Sequence, residues 1–255
     1  MRKKIVILPV FNEEATVVDV LSRLIPQVDT IIIVDDGSTD TSKQRIIDWK
    51  RKITNPEFAR NVHFFSLKRN SGKGRVFWNC FCFLKYLLDA NQISPEDLII
   101  TIDADGQHKP ENITSIIEYL EKKNLELVIT KRDFSVYPFY KKFGNKFLST
   151  WASIIGGFNF KDIESGFRVF QAKVINDILP YYTGYRYSCE QEFGIIATQL
   201  KIKMDNEYPV EVDTYVPGAR FRDAFGVVLM GIIAFLRVKF KLVNKKFDWE
   251  MVSIQ

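Results

Sequence analysis

Residues 97–108 read DLIITIDADGQH. Residues 98–102 form an apolar run broken only by Thr101, the pattern of a strand buried on both faces of a sheet. Two carboxylates, Asp103 and Asp105, stand where that strand runs out, and Gly106 follows them. Side chains at i and i+2 of an extended tip share a side, so both acids can reach one hard divalent cation, directly or through its water. Gln107, two residues further on, offers a neutral oxygen to the same ion. The competing local reading is an acidic turn before a helix, with Asp105 or His108 as its cap. The neighbouring strand tips decide between the two.

Similar runs rich in Ile and Val lie at residues 4–8, 31–35, 62–67 and 126–130. Helical spacing separates them. It relates Val17, Val20, Leu21, Leu24 and Ile25, then Val76, Phe77, Cys80, Leu84, Leu87 and Leu88. A third set, Ile113, Ile116, Ile117 and Leu120, follows Pro110, which is expected in a first helical turn. Alternating strands and helices predict an α/β fold with a mainly parallel, doubly wound sheet flanked by helices. In such sheets ligands collect beyond the carboxyl ends of the strands. Those ends carry PVFNEE, DDGSTD, KRNSGKGR, DADGQH and KR in turn. One edge of the sheet is built as a site.

Composition narrows the class. With 255 residues, 46% of them hydrophobic, the chain has ample material for a packed core. The net charge of +5 is modest, but basic residues cluster at Lys68, Arg69, Lys73 and Arg75, at Lys141, Lys142 and Lys146, and from Arg237 to Lys246. Such clusters suit phosphate-bearing ligands or an anionic membrane surface, or they are solvated faces. The three cysteines, Cys80, Cys82 and Cys189, make neither a disulfide framework nor a metal pattern, so a reducing compartment is expected. The apolar stretch after MRKK is only about six residues long, too short for a signal peptide. No G-x-G-x-x-G follows the first strand, and SGKGR lacks the spaced glycine and hydroxyl of a phosphate loop. His63, inside a strand-like run, reads as structural. Aromatic residues are not interleaved with the basic clusters as nucleic-acid binding requires.

The ordered set ILPVFNEE, IIIVDDGSTD, NSGKGRV, ITIDADGQHKPENI and ESGFRVF resembles the family 2 glycosyltransferases with a GT-A nucleotide-diphospho-sugar fold. It is most similar to the dolichyl and polyprenyl phosphate sugar synthases, and the likeness spans residues 5–212. The resemblance implies that Pro9, Phe11, Glu13 and Asp36 line the base and ribose pocket of a UDP- or GDP-linked sugar donor. Phe11 supplies apolar surface there, and Asp36 accepts hydrogen bonds from the base; Asp36 also reads as a turn residue in DDGST. Gly72 and Lys73 lie near the nucleotide, and Ala104 beside the donor. Asp103, Asp105 and Gln107 hold Mg2+ or Mn2+ on the diphosphate, with Asp105 also counted as catalytic. The implied acceptor is a polyprenyl or dolichyl phosphate and the implied transfer is inverting.

Such chemistry asks little of the protein. A dication stabilises the departing diphosphate without proton transfer. A lipid monophosphate is largely ionised at neutral pH, its second pKa being about 6, and needs no strong base. Cations to bring two anions together are expected at Arg132, in ITKR, and Arg168, in ESGFRVF. A saccharide or other hydroxyl acceptor is the rival reading. It needs a base, for which YSCEQEF offers Glu190 or Glu192; a solvated helix face is the alternative for both. A binding protein without turnover is a third reading.

Beyond the sheet, Phe139, Phe143, Phe147 and Trp151 recur every fourth residue with lysines elsewhere around the helix. This fits either a basic amphipathic helix on a membrane or a buried core helix. Residues 224–236 carry no charge, yet these 13 residues fall short of the roughly 20 that span a bilayer. The expected organisation is a catalytic domain over residues 1–222 and an apolar, basic helical tail over 223–255. That tail would associate with a membrane, a membrane-protein partner or a second copy. The expected location is the cytoplasmic face of a membrane, peripherally bound. Arg220 and Arg222 are expected to close over donor phosphates.

Overall fold

The structure, a computed structural model, describes residues 2–186, 188–212 and 223–254. Its strands are β1 (Lys4–Val10), β2 (Thr30–Asp35), β3 (Val62–Ser66), β4 (Leu98–Thr101), β5 (Leu127–Ile129), β6 (Lys131–Arg132), β7 (Arg168–Gln171), β8 (Met204–Asp205), β9 (Pro209–Val210) and β10 (Val252–Ser253). Its helices are α1 (Val17–Leu24), α2 (Ser42–Arg51), α3 (Pro56–Arg60), α4 (Lys73–Asp89), α5 (Asn112–Lys122), α6 (Phe139–Gly156), α7 (Val174–Ile178), α8 (Cys189–Gln199) and α9 (Asp223–Lys239). The main sheet has the order β10-β3-β2-β1-β4-β7-β5-β8, and β6 pairs with β9 separately.

β3, β2, β1 and β4 run parallel, so their carboxyl ends share one edge. Register then sorts the core by alternation. Ile5 and Ile7 of β1 pack in the layer built by α4, α7 and α8, whereas Val6, Leu8 and Val10 pack against α1, α2 and α5. Burial on both faces explains why these strands read as unbroken apolar runs. β7 enters antiparallel between β4 and β5, so its beginning, not its end, reaches the same edge. Thr101 pairs with Arg168 and donates its hydroxyl to the Gly166 carbonyl at 2.7 Å, holding the ESGF segment beside the end of β4. Pro110 lies in the turn just ahead of α5, its carbonyl accepting from Ile113 at 3.0 Å.

The C-terminal region packs on the rest. α9 contacts α6 and α8 and buries Val227, Met230 and Ala234. The chain then crosses α4, where Trp78 Nε1 donates to the Asp248 carbonyl at 3.3 Å and Trp249 meets Phe83 edge-on. β10 finally pairs antiparallel with β3, covering a sheet edge that would otherwise expose its backbone. Residues beyond 223 thus complete the sheet as well as extending from it. Among the described residues no helix is long and apolar enough to cross a membrane. The outer face of α9 leaves Phe225 77% exposed, with Leu229 and Leu236 also in solvent. On α6, Phe139 is 82% exposed and Phe143 and Phe147 are exposed too, which removes the buried-core reading for these three, while Trp151 at the end of the stripe is half-buried.

Candidate active site

At the end of β2, Asp35 accepts from Ser38 N at 3.0 Å and from the Ser66 hydroxyl at 2.9 Å. Asp36 accepts from Ser71 N at 2.8 Å and Gly72 N at 2.9 Å. Both carboxylates thus shape loops, and Asp36 fixes the SGK turn at the start of α4. Burial raises the Asp36 pKa against the pull of those two donors. Gly72 caps α4 at φ 90°, a left-handed backbone that favours glycine, and a Cβ there would sit 2.8 Å from Arg186 Cα. The turn launches Lys73 across the edge of the sheet.

Lys73 Nζ lies 2.5 Å from Asp103 Oδ1 and 2.7 Å from Glu190 Oε1. Gly166 makes room for that contact: a Cβ at this position would fall 2.4 Å from Asp103 Oδ2 and 3.0 Å from Lys73 Nζ. Burial alone would raise Asp103, but Lys73, His108 and Arg132 together hold it below the usual carboxylate range. Asp105 behaves oppositely. Burial and the Asp103 charge push it up to about 6. Glu13, beyond the end of β1, is pushed up to about 7 by burial and then by Asp105. The Thr16 hydroxyl lies 2.7 Å from the Ala104 carbonyl and 3.2 Å from Glu13 Oε2, tying the β1 and β4 tips together. The expected acids therefore do meet, and among the described residues no lysine or arginine forms an ion pair with Asp105 or Glu13.

These groups suit a hard dication. Gln107 donates its backbone N–H to Asp105 Oδ1 at 3.0 Å, and its side-chain oxygen lies 3.5 Å from the Tyr137 hydroxyl. Among the described residues no cluster of three or more His, Cys, Asp or Glu side chains forms a metal cage. Two carboxylates and an amide oxygen, with water and diphosphate oxygens completing the sphere, is the way Mg2+ and Mn2+ are commonly held. The excess negative charge of Glu13, Asp103 and Asp105 fits the same ion.

The cationic side differs from the expectation. Arg132 donates from Nε and Nη2 to Asp162 at 2.8 and 2.9 Å, and its guanidinium faces the Phe134 and Tyr137 rings at 5.3 and 5.9 Å. Arg168 is only 3% exposed; it donates to the Ser165 and Ile163 carbonyls at 3.0 and 2.7 Å and stacks on Phe193. A guanidinium so enclosed braces the ESGF turn and is not an open grip for phosphate. Glu190 and Glu192 are buried, not on a solvated face. Glu190 pairs with Lys73 and lies 2.6 Å from the Cys189 thiol, while Glu192 accepts from Thr183 N and Gly184 N at 2.6 and 3.2 Å. His108 is buried against Phe167 at 5.3 Å, with Nδ1 lacking a hydrogen bond among the described residues, so it belongs to the core and does not cap α5. Pro9 lies in β1 and Phe11 is exposed just beyond it. Arg220 and Arg222 lie outside the described residues.

Several participants escaped sequence reasoning: the double ion pair of Lys73, Asp162 as the partner of Arg132, and Glu164. Burial and the Glu190 charge push Glu164 up to about 8, leaving it a neutral acid at pH 7. Asp162 and Glu164 reach the edge on the segment that leads into the backward-running β7, which no local spacing announces. The ESG run, a glycine two residues after an acid, was the one available signal of a tight contact.

The acidic β4 tip, the lysine turn before α4 and the returning ESGF segment all lie within one family match: the family model for Glycosyl transferase family 2 matches residues 5–192. The chain belongs to that family. This glycosyltransferase is 29% identical over 253 residues to the UDP-N-acetylglucosamine–dolichyl-phosphate N-acetylglucosaminyltransferase of Methanococcus voltae, covering 95% of this chain and 97% of that one. It is 26% identical over 185 residues to the undecaprenyl-phosphate 4-deoxy-4-formamido-L-arabinose transferase of Photorhabdus laumondii, covering 70% of this chain and 52% of that protein. Its fold is similar to that of glucosyl-3-phosphoglycerate synthase from Mycobacterium tuberculosis, crystallised with Mn2+, UDP-glucose and phosphoglyceric acid. There the TM-score is 0.65 at 18% identity, covering 93% of this chain and 79% of that one. The glycosyltransferase thus shares a GT-A architecture with its solved neighbours.

Proposed function

We propose that this family 2 glycosyltransferase is inverting and metal-dependent, moving a hexose from a nucleoside diphosphate sugar to a polyprenyl or dolichyl phosphate at a membrane surface. The observation that carries the reading is the pairing state of the acids. Glu13 and Asp105 lack a cationic partner among the described residues, whereas Glu190 and Glu192, the bases a hydroxyl acceptor would use, are engaged by Lys73 and by backbone N–H groups. A site with its candidate bases occupied suits an acceptor that arrives ionised. Asp103, Asp105 and Gln107 would hold a dication, which supplies charge neutralisation to the departing diphosphate. Pro9, Phe11, Glu13 and Asp36 would bound the base and ribose pocket, with Gly72 and Ala104 lining the donor. A uridine donor is favoured by the relatives whose names or bound ligands carry UDP.

The acceptor side begins at Arg132. Tyr137 faces this arginine, and the exposed Phe139, Phe143 and Phe147 continue from it along α6. α9, which packs on α6 and has its own exposed apolar face, is followed by the basic run from Arg237 to Lys246. Apolar surface rimmed by lysines matches an anionic bilayer and would bring the lipid phosphate to Arg132. The test uses radiolabelled UDP-hexose, Mn2+ and vesicles containing polyprenyl phosphate. Label is expected in the solvent-extractable lipid; label confined to water-soluble product overturns the lipid acceptor. Phe143→Ser with Phe147→Ser should weaken vesicle binding about tenfold or more, the scale of two lost aromatic contacts. Their thermal stability should be unchanged.

A further inference from the structure

We propose that Lys73 is the resident counter-ion of the cation site: its ammonium holds Asp103 in the ligand-free protein and yields that carboxylate when dication and donor arrive together, staying on Glu190. The inference rests on the reading that Asp103 and Asp105 carry a dication. Three observations support it. Nζ sits 2.5 Å from Asp103 Oδ1, an atom a dication would take, and 2.7 Å from Glu190 Oε1, so it has an anchor to keep after release. Its position as the first residue of α4 sets a cation near the positive end of a helix dipole, where the backbone opposes it and the two carboxylates, with the Phe77 ring at 5.8 Å, hold it. Of the tip acids Glu13, Asp103 and Asp105, only Asp103 is paired with a cation among the described residues.

The consequence is an order of binding. A bare dication must compete with an ammonium already on Asp103 and suffers its repulsion at contact range. A dication carried by a diphosphate brings negative charge with it, and the phosphate oxygens give Lys73 a new partner near its old one. Lys73 thereby makes metal binding depend on donor. It acts through Asp103 and is a positioning residue.

Mn2+ binding to the full chain, measured by electron paramagnetic resonance with and without UDP, tests this. Lys73→Met should bind bare Mn2+ about tenfold to a hundredfold more tightly than the unmodified protein, the span of a charge-assisted hydrogen bond. It should also gain less affinity from UDP, and Lys73→Arg should restore the original behaviour. A merely structural lysine would, when removed, lower Mn2+ affinity. If Lys73→Met is unfolded by circular dichroism, Lys73→Gln keeps a hydrogen-bonding group in place and is expected to show the same gain. Unchanged or weaker bare-Mn2+ binding in the folded variant, with Mn2+ and UDP still binding the unmodified protein, overturns the counter-ion role alone. Absence of Mn2+ binding to the unmodified protein, with or without UDP, overturns both this role and the dication reading beneath it.

Discussion

The two sides of the sheet edge handle charge in opposite ways. At the tips of β1 and β4, Glu13 and Asp105 are half-buried near each other with no ion-pair partner among the described residues, and both are pushed up toward neutral pH. Beside β5 and β7, each guanidinium is matched: Arg132 by Asp162, Arg168 by two carbonyls. Charge that the fold leaves uncompensated costs stability and marks where a ligand supplies the missing sign. Compensated charge is held in place by the scaffold, including Arg132 where it would also meet the lipid phosphate. The difference separates the acids of the β1 and β4 tips from the arginines beside β5 and β7.

The largest effect should come from breaking the matched side. Asp162→Ala leaves the largely buried Arg132 without its carboxylate and should cost about 3–5 kcal/mol of folding stability, read from urea unfolding. Replacing both members, with Arg132→Met and Asp162→Leu, should recover most of that loss while leaving lipid transfer impaired. Stability that stays low in the double variant would mean the pair is not compensated as described. Asp105→Asn on the unmatched side should give the opposite pattern. Transfer is expected to fall about 10²–10³-fold, the scale of losing one aimed electrostatic contact. The melting temperature of the metal-free protein should hold or rise, because a repulsive carboxylate has gone. A marked loss of stability in Asp105→Asn would erase the contrast between the two sides.

How much of this was open to sequence reading follows from range. β1 to β5 stood out because their Ile- and Val-rich runs are buried on both faces, and the meeting of Asp103 with Asp105 follows from two-residue spacing. β7 is four residues long and β8, β9 and β10 only two each, too short to show a period. With β7 unrecognised, Arg168 stayed a candidate anion grip, and Asp162 and Glu190 had no visible partners. The stripe Phe139, Phe143 and Phe147 shows a different limit. Helical spacing revealed an apolar face, but a face turned to the core and one turned to solvent carry the same pattern.

The smallest expected effect is also the one that bears most directly on the unmatched acids. Glu13 and Asp105 rise from 4.5 and 3.8 to about 7 and about 6, burial being the first cause for each and neighbouring carboxylate charge the next. Both therefore hold protons more tightly folded than unfolded. The stability this adds is fully present below the unfolded values and is lost as pH rises through about 6 and 7. A dication pulls the other way, since it binds the ionised carboxylates and must displace those protons. The rise in melting temperature produced by Mn2+ with UDP should thus be greater at pH 8 than at pH 6, by about 2–4 °C if affinity changes tenfold in a chain of this size. In Asp105→Asn that pH dependence should shrink. An equal rise at both pH values would mean that protons and metal do not compete at the β1 and β4 tips. The raised acids would then be a property of burial alone, with no bearing on the ligand.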